Sequence, residues 1–195
     1  LKASGDLRNF FKTIVSLPNT YTGKLTVDIN DIDEAVVARN LMLLLISFNF
    51  APDVASLMML HVWYSAFLPK NTIDDIKNKI SPILVEFLLS GATELLEGKW
   101  THNNNNDATL HAKLDRGDWI RVLGYCLGKS GISFGEANAL RRSVLFEKSR
   151  EDYKDRHSFM LPPPWRLAKL RFREYGILVP FSASCEEFNV PNPSV

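Results

Sequence analysis

The chain has 195 residues, 46% hydrophobic and 23% charged, with 10 Gly and 10 Pro. That composition excludes a mostly disordered, collagen-like or linker-like chain. The net charge of +1 is too balanced for bulk attraction to nucleic acid or membrane to define the protein.

Asp6 stands as an N-cap before apolar positions Leu7, Phe10, Phe11, Ile14, Val15 and Leu17, a spacing that predicts a helix closed by Pro18-Asn19. Tyr21-Thr22-Gly23 is a turn. Leu25, Val27 and Ile29 then alternate with Thr26, Asp28 and Asn30, which predicts a strand over 24–30. Asp31-Ile32-Asp33 caps a second helix from Glu34 to Phe48, apolar on nearly every face and therefore buried. Helix, strand, helix in this order is the centre of a βαβ unit whose first strand lies at or before residue 1.

Pro52-Asp53 opens a third helix to about Phe67, and Thr72-x-x-Asp75 resembles a capping box for a fourth helix reaching Gly91. Pro82 kinks or splits that helix. The Asn run in His102–Asp107 predicts a polar loop tip. Further helices are expected over Asp118–Leu127, Phe134–Arg156 and Trp165–Tyr175, the last stopped by Gly176. Ile177–Phe181 reads as an edge strand marked by Pro180, and Asn189–Val195 as an extended tail hanging free. One firm strand among six to eight helices gives a mainly α chain with a small β component. A complete doubly wound sheet needs more strands.

Cys126 and Cys185 form no CxxC pattern, and His61, His102, His111 and His157 stand at no metal-ligand spacing, so two free or buried thiols and no metal site are expected. The longest apolar run, Leu41–Phe48, is too short to cross a bilayer. Leu1–Asp6 shows no signal-peptide pattern and reads as the end of something longer. Cytoplasmic localisation follows as an expectation.

Four constellations stand out. Ser4, Gly5 and Asp6 with Asp28, Asn30, Asp31 and Asp33 suggest a nucleotide-binding layout, in which a glycine turn admits the ligand and an acid at the end of the next strand, Asp31 by its separation from Gly5, holds ribose hydroxyls. The bland alternative is a tight turn plus helix-capping acids. Gly124-x-x-x-Gly128-Lys129-Ser130 is one residue short of a phosphate loop and follows a helix, so it reads as a helix cap and turn. Arg141–Glu174 carries ten Lys or Arg against five Asp or Glu, with Arg166, Lys169 and Arg173 on one helical face beside Trp165 and Phe172. That face suits a protein partner or an RNA backbone, or is a solvated helix face. The cluster around His61 predicts core packing, with His61, Tyr64 and Leu68 together and Trp63 against Phe67. No catalytic nucleophile or base pair shows itself, so no catalytic residue is assigned.

Ser4–Asn9, Tyr21–Asp31, Val37–Leu44 and the helix His61–Pro69 resemble a fungal domain of unknown function related to the N-terminal region of dynein axonemal assembly factor three, as does Arg150–Ser184 through Trp165-Arg166-Leu167, Lys169-Leu170 and Glu174-Tyr175-Gly176. The resemblance implies an incomplete Rossmann-like, methyltransferase-like α/β unit with a helical insertion. It makes Ala3–Asp6 the methyl-donor loop and Asp31 the ribose acid. Family members show Gly-x-Gly-Asp where this chain has Ala3-Ser4-Gly5-Asp6.

The expected organisation is a partial Rossmann-like remnant over 1–50, a helical region over 51–184 and an extended tail over 185–195. The function that follows is a non-catalytic protein-interaction or assembly domain with no cofactor of its own, its enzymatic status leaning to no. Its protein partner would meet Arg166, Lys169 and Arg173, with membrane excluded and nucleic acid disfavoured. The alternatives are part of an S-adenosylmethionine-dependent methyltransferase, competent in a longer chain, and an RNA-binding module acting through 141–173.

Overall fold

A computed structural model of the chain describes residues 5–91, 96–101, 107–127, 131–150, 159–180 and 182–194. Among them are seven α-helices and two two-stranded antiparallel sheets. The parallel ladder of a Rossmann-like unit is not among the described residues.

Helix α1 (Arg8–Val15) starts one residue after Leu7, and Asp6 accepts the Arg8 N–H at 3.1 Å while pairing with its guanidinium at 2.6 Å. The expected strand over 24–30 does not form: only Asn30 makes a single bridge. The alternation survives in part, because Val27 and Ile29 are half-buried between exposed Thr26, Asp28 and Asn30. A strand needs a neighbour to complete its hydrogen bonds, and beside 24–30 the described residues supply no more than that bridge.

Helix α2 (Glu34–Asn49) forms as expected, with the Asp33 carboxylate accepting the Ala35 and Val36 N–H groups. Leu41 to Ile46 are all buried, because α3 (Pro52–Tyr64), α4 (Lys70–Leu89) and α5 (Arg116–Cys126) pack around it. The facing stripes are Ala55, Met58 and Val62 on α3, Ile73, Ile76, Ile80, Leu84 and Phe87 on α4, and Trp119, Val122 and Cys126 on α5. Each repeats at three and four residues, the spacing that keeps one face inward. Trp119 meets Phe87 edge-on at 4.8 Å. Arg121 on α5 forms an ion pair with Glu34 on α2.

Several boundaries differ from the sequence expectations. Helix α3 stops at Tyr64, and Phe67 belongs to strand β1 (Phe67–Pro69). Trp63 therefore stacks on Tyr64 at 5.2 Å, while Phe67 meets Phe134 at 4.4 Å. Thr72 does not cap α4, which begins at Lys70 after Pro69. Pro82 does not split α4: it lies on the exposed face, where water can satisfy the carbonyl its ring leaves free. Strands β2 (Leu96–Thr101) and β3 (Asp107–Ala112) pair in register from Leu96↔Ala112 to Thr101↔Asp107. The Asn-rich tip at 102–106 falls outside the described residues.

Helix α6 (Phe134–Leu145) is shorter than the expected 134–156 and gives way to a 3-10 turn at Lys148–Arg150. Residues 151–158 lie outside the described set. Its start is a capping box, in which Ser133 and Glu136 satisfy each other's backbone N–H groups. Helix α7 (Pro163–Tyr175) ends at Gly176, whose φ of +72° is the left-handed cap expected of it. A Cβ there would come within 2.7 Å of the Arg141 side chain, so both backbone and neighbours demand glycine.

The expected strand at 177–181 is absent over 177–180, and Phe181 is not described. The expected free tail is the larger correction. Strand β4 (Phe188–Pro191) pairs antiparallel with β1, and Asn192 and Ser194 are buried. The Asn192 side-chain amide donates to Val62 O at 2.9 Å and Ser65 O at 2.7 Å, and the Ser194 hydroxyl donates to Val62 O at 3.0 Å. These bonds satisfy carbonyls that the end of α3 leaves without intrahelical partners. A small second core of Phe67, Ile177 and Phe188 forms beneath.

His61 sits in this junction as the expected core histidine. Its Nδ1 lies 3.2 Å from Ser65 Oγ, and its ring meets Phe188 edge-on at 4.9 Å. Ser65 Oγ also accepts the Leu178 N–H at 3.0 Å. Burial holds the imidazole below its ordinary pKa of 6.5.

Two expectations follow. Asn192→Ala leaves buried carbonyls unpaired and should cost about 1–3 kcal/mol in denaturant unfolding, with faster amide exchange over β1. The unfolded chain protonates His61 near pH 6.5 and the folded chain only at lower pH. Stability from this residue is thus complete above pH 6.5 and declines as the pH falls below it, and His61→Phe should flatten that slope in thermal melts.

Candidate functional site

The structure brings Gly5 and Asp31 together. The Gly5 N–H donates to Asp31 Oδ2 at 2.7 Å, and Asp31 Oδ1 accepts the Asp33 N–H at 3.1 Å. Those backbone bonds, the one from Asp33 first, hold the Asp31 carboxyl below the usual carboxylate range. The Gly5 carbonyl accepts the side-chain amide of Asn40 at 2.9 Å, and Gly5 itself has φ +57°. The turn before α1 is thus tied to the start of α2 at two points. Ser4 lies outside the described residues, and Asp6 turns to Arg8.

Three further residues gather at this turn that the sequence reading missed. Asn40 is buried, and among the described residues its Oδ1 has no hydrogen-bond partner. Arg39 likewise buries an Nε that has no partner among the described residues. The Tyr64 hydroxyl, its pKa raised first by burial, feels the charges of Arg8, Asp6 and Arg39. No motif announces these side chains, because Arg39 and Asn40 come from α2 and Tyr64 from the end of α3.

The basic face lies elsewhere, on α7. Arg166, Lys169 and Arg173 occupy one side of that helix, half-buried, and the Arg166 guanidinium donates to Leu161 O at 3.2 Å. Partial burial and the neighbouring Arg173 lower the Lys169 pKa. Arg141 of α6, outside the predicted trio, donates to Arg173 O at 2.7 Å and Glu174 O at 2.8 Å. A cation on the last carbonyls of a helix is favourable with respect to its dipole.

A cleft of about 430 Å³ opens between α6, α7 and β4, lined among others by Phe134, Arg171, Tyr175 and Cys185. Arg171 spans its wall, donating to Ala183 O at 2.6 Å with Cys185 Sγ at 3.9 Å. Among the described residues no group of three or more His, Cys, Asp or Glu could hold a metal ion, and no helix is long and apolar enough to cross a membrane.

Residues 1–68 match the model of a family described as Domain of unknown function (DUF4470). No curated protein and no solved structure matches the chain. The matched segment contains the Gly5–Asp31 turn, α2 and α3, and stops inside β1.

Both cysteines are free, and they differ sharply. Cys126 is fully buried and burial pushes its thiol up to about 12, whereas Cys185 is half-exposed. A chromogenic thiol reagent at neutral pH should label Cys185 in the folded chain, with the second thiol appearing only on unfolding.

Proposed function

We propose that this chain is a non-catalytic interaction and assembly domain of the dynein-assembly-factor-like, methyltransferase-like family, working in the cytoplasm by protein contact. The observation that carries the reading is the apolar surface left open on α6 and α7. Leu140, Val144 and Phe146 follow one another along α6 and its end, and Trp165, Leu167 and Leu170 along α7, all exposed. Leu140 and Val144 at i and i+4 on α6, and Leu167 and Leu170 at i and i+3 on α7, each share a face of their own helix, which supports a surface that meets another protein. The Asp31 carboxylate supports the same reading, since each of its oxygens already holds a backbone amide of its own turn.

The second reading is part of an S-adenosylmethionine-dependent methyltransferase that acts in a longer chain. It is favoured by the 2.7 Å contact between Gly5 and Asp31, which sets a glycine turn beside an acid as a donor loop requires. Asp31 would hold ribose hydroxyls there, with Asn40 Oδ1 as a spare buried acceptor.

Titration calorimetry with S-adenosylmethionine separates the two. The interaction domain gives no saturable heat, while Asp31→Ala lowers its thermal midpoint by releasing the turn at Gly5. Saturable heat that Asp31→Ala abolishes would overturn the interaction reading in favour of the methyltransferase.

A further inference from the structure

Helix α7 is held mainly by its ends and leaves a chemically patterned face partly exposed, its three cations half-buried and the apolar side chains beside them exposed. No residue on it is fully buried. Its C-terminal carbonyls take the Arg141 guanidinium, Gly176 turns the chain sharply, and Arg171 ties it to Pro180 O and Ala183 O. On the other side Arg166, Lys169 and Arg173 follow at i, i+3 and i+7, a single stripe about 10 Å long at 1.5 Å per residue. Trp165, 67% exposed, borders the stripe on one flank, and Leu170 and Leu167, 51% and 49% exposed, border it on the other. Among the described residues none of the three cations pairs with a carboxylate.

We propose that this face of α7 receives an acidic amphipathic helix of a partner protein, its carboxylates at i, i+3 or i+4, and i+7 meeting Arg166, Lys169 and Arg173 and its apolar side chains covering Trp165, Leu167 and Leu170. The proposal rests on the interaction-domain reading above and names the chemistry of the partner. Charge complementarity commits the surface to an anionic occupant: three like charges crowd one stripe, and the Lys169 ammonium is already partly desolvated. The apolar borders decide which anion. A nucleic-acid backbone would neutralise the stripe and leave both leucines in water, whereas a helix with acidic and apolar stripes covers both sets at once. The overall charge of +1 also gives no long-range field to gather phosphates.

The probe is a fluorescein-labelled helical peptide with Glu at i, i+3 and i+7 and Leu on the adjoining stripe, titrated into the full chain by anisotropy. It should bind, with affinity falling as salt rises. Lys169→Glu with Arg173→Glu should weaken it about tenfold or more, and Leu170→Ser should weaken it with little change in salt dependence. These positions are not fully buried, so circular dichroism should show the variants folded. The same peptide with Lys for Glu should not bind. No binding of the acidic peptide, equal binding of the basic one, or undiminished binding by the double variant would overturn the proposal. Tighter binding of a single-stranded RNA with a steeper salt slope would overturn it in favour of nucleic acid. Failure of the peptide with calorimetry still silent refutes only this inference. Saturable heat with S-adenosylmethionine refutes the reading beneath it.

Discussion

The Ser65-Ala66 junction holds the C-terminal third of the chain to the helical core. Ser65 is fully buried, and its N–H closes α3 on His61 O. Its hydroxyl joins His61 to Leu178, and its carbonyl takes the Asn192 amide. Ala66 donates to Gly176 O at 2.7 Å and accepts from Asn192 N at 2.9 Å. Two residues thus gather two distant segments, 176–178 and 192, onto the end of α3, through backbone groups that would otherwise be buried without partners. Because neutral His61 belongs to the same set, the attachment is coupled to pH.

This junction explains why α6 and α7 stand as they do. They are anchored at Gly176, at Arg141 and by the small core of Phe67, Ile177 and Phe188, rather than by burying a full helical face. Apolar residues such as Leu140, Leu167 and Leu170 consequently stay exposed. The central helices use theirs differently: α2 is enclosed by α3, α4 and α5, so its apolar residues on every side all find neighbours. One chain therefore holds a saturated core and a peripheral layer with apolar surface to spare. The turn at Gly5 belongs to the core side, since both its contacts reach the first turns of α2 and the segment just before it.

Much of the helical architecture was legible before the structure. The all-round apolar pattern of 34–48 gave a buried helix, Asp33 its cap and Gly176 the end of α7, because each depends on side chains within a turn or two of one another. The separation of Gly5 and Asp31 suits a nucleotide-binding layout, and the structure brings the two together through a backbone bond of the turn. The alternation at 24–30 forms no strand for the opposite reason. Alternation records which side chains face inward, and a ladder further requires a second segment that the alternation does not specify.

The amino-acid order by itself determined the buried helix α2, the caps at Asp33 and Gly176, the mainly α class and the two solitary thiols. Those follow from local sterics, hydrogen bonds of short reach and composition. Only the tertiary structure decided that the last residues are a packed strand, that Asn40, Arg39 and Tyr64 gather at the Gly5 turn, and that α7 keeps an apolar border on either side of its cations. Each of these is settled by which distant backbone and side-chain groups come within about 3 to 5 Å, and nothing in a run of neighbouring residues encodes that encounter.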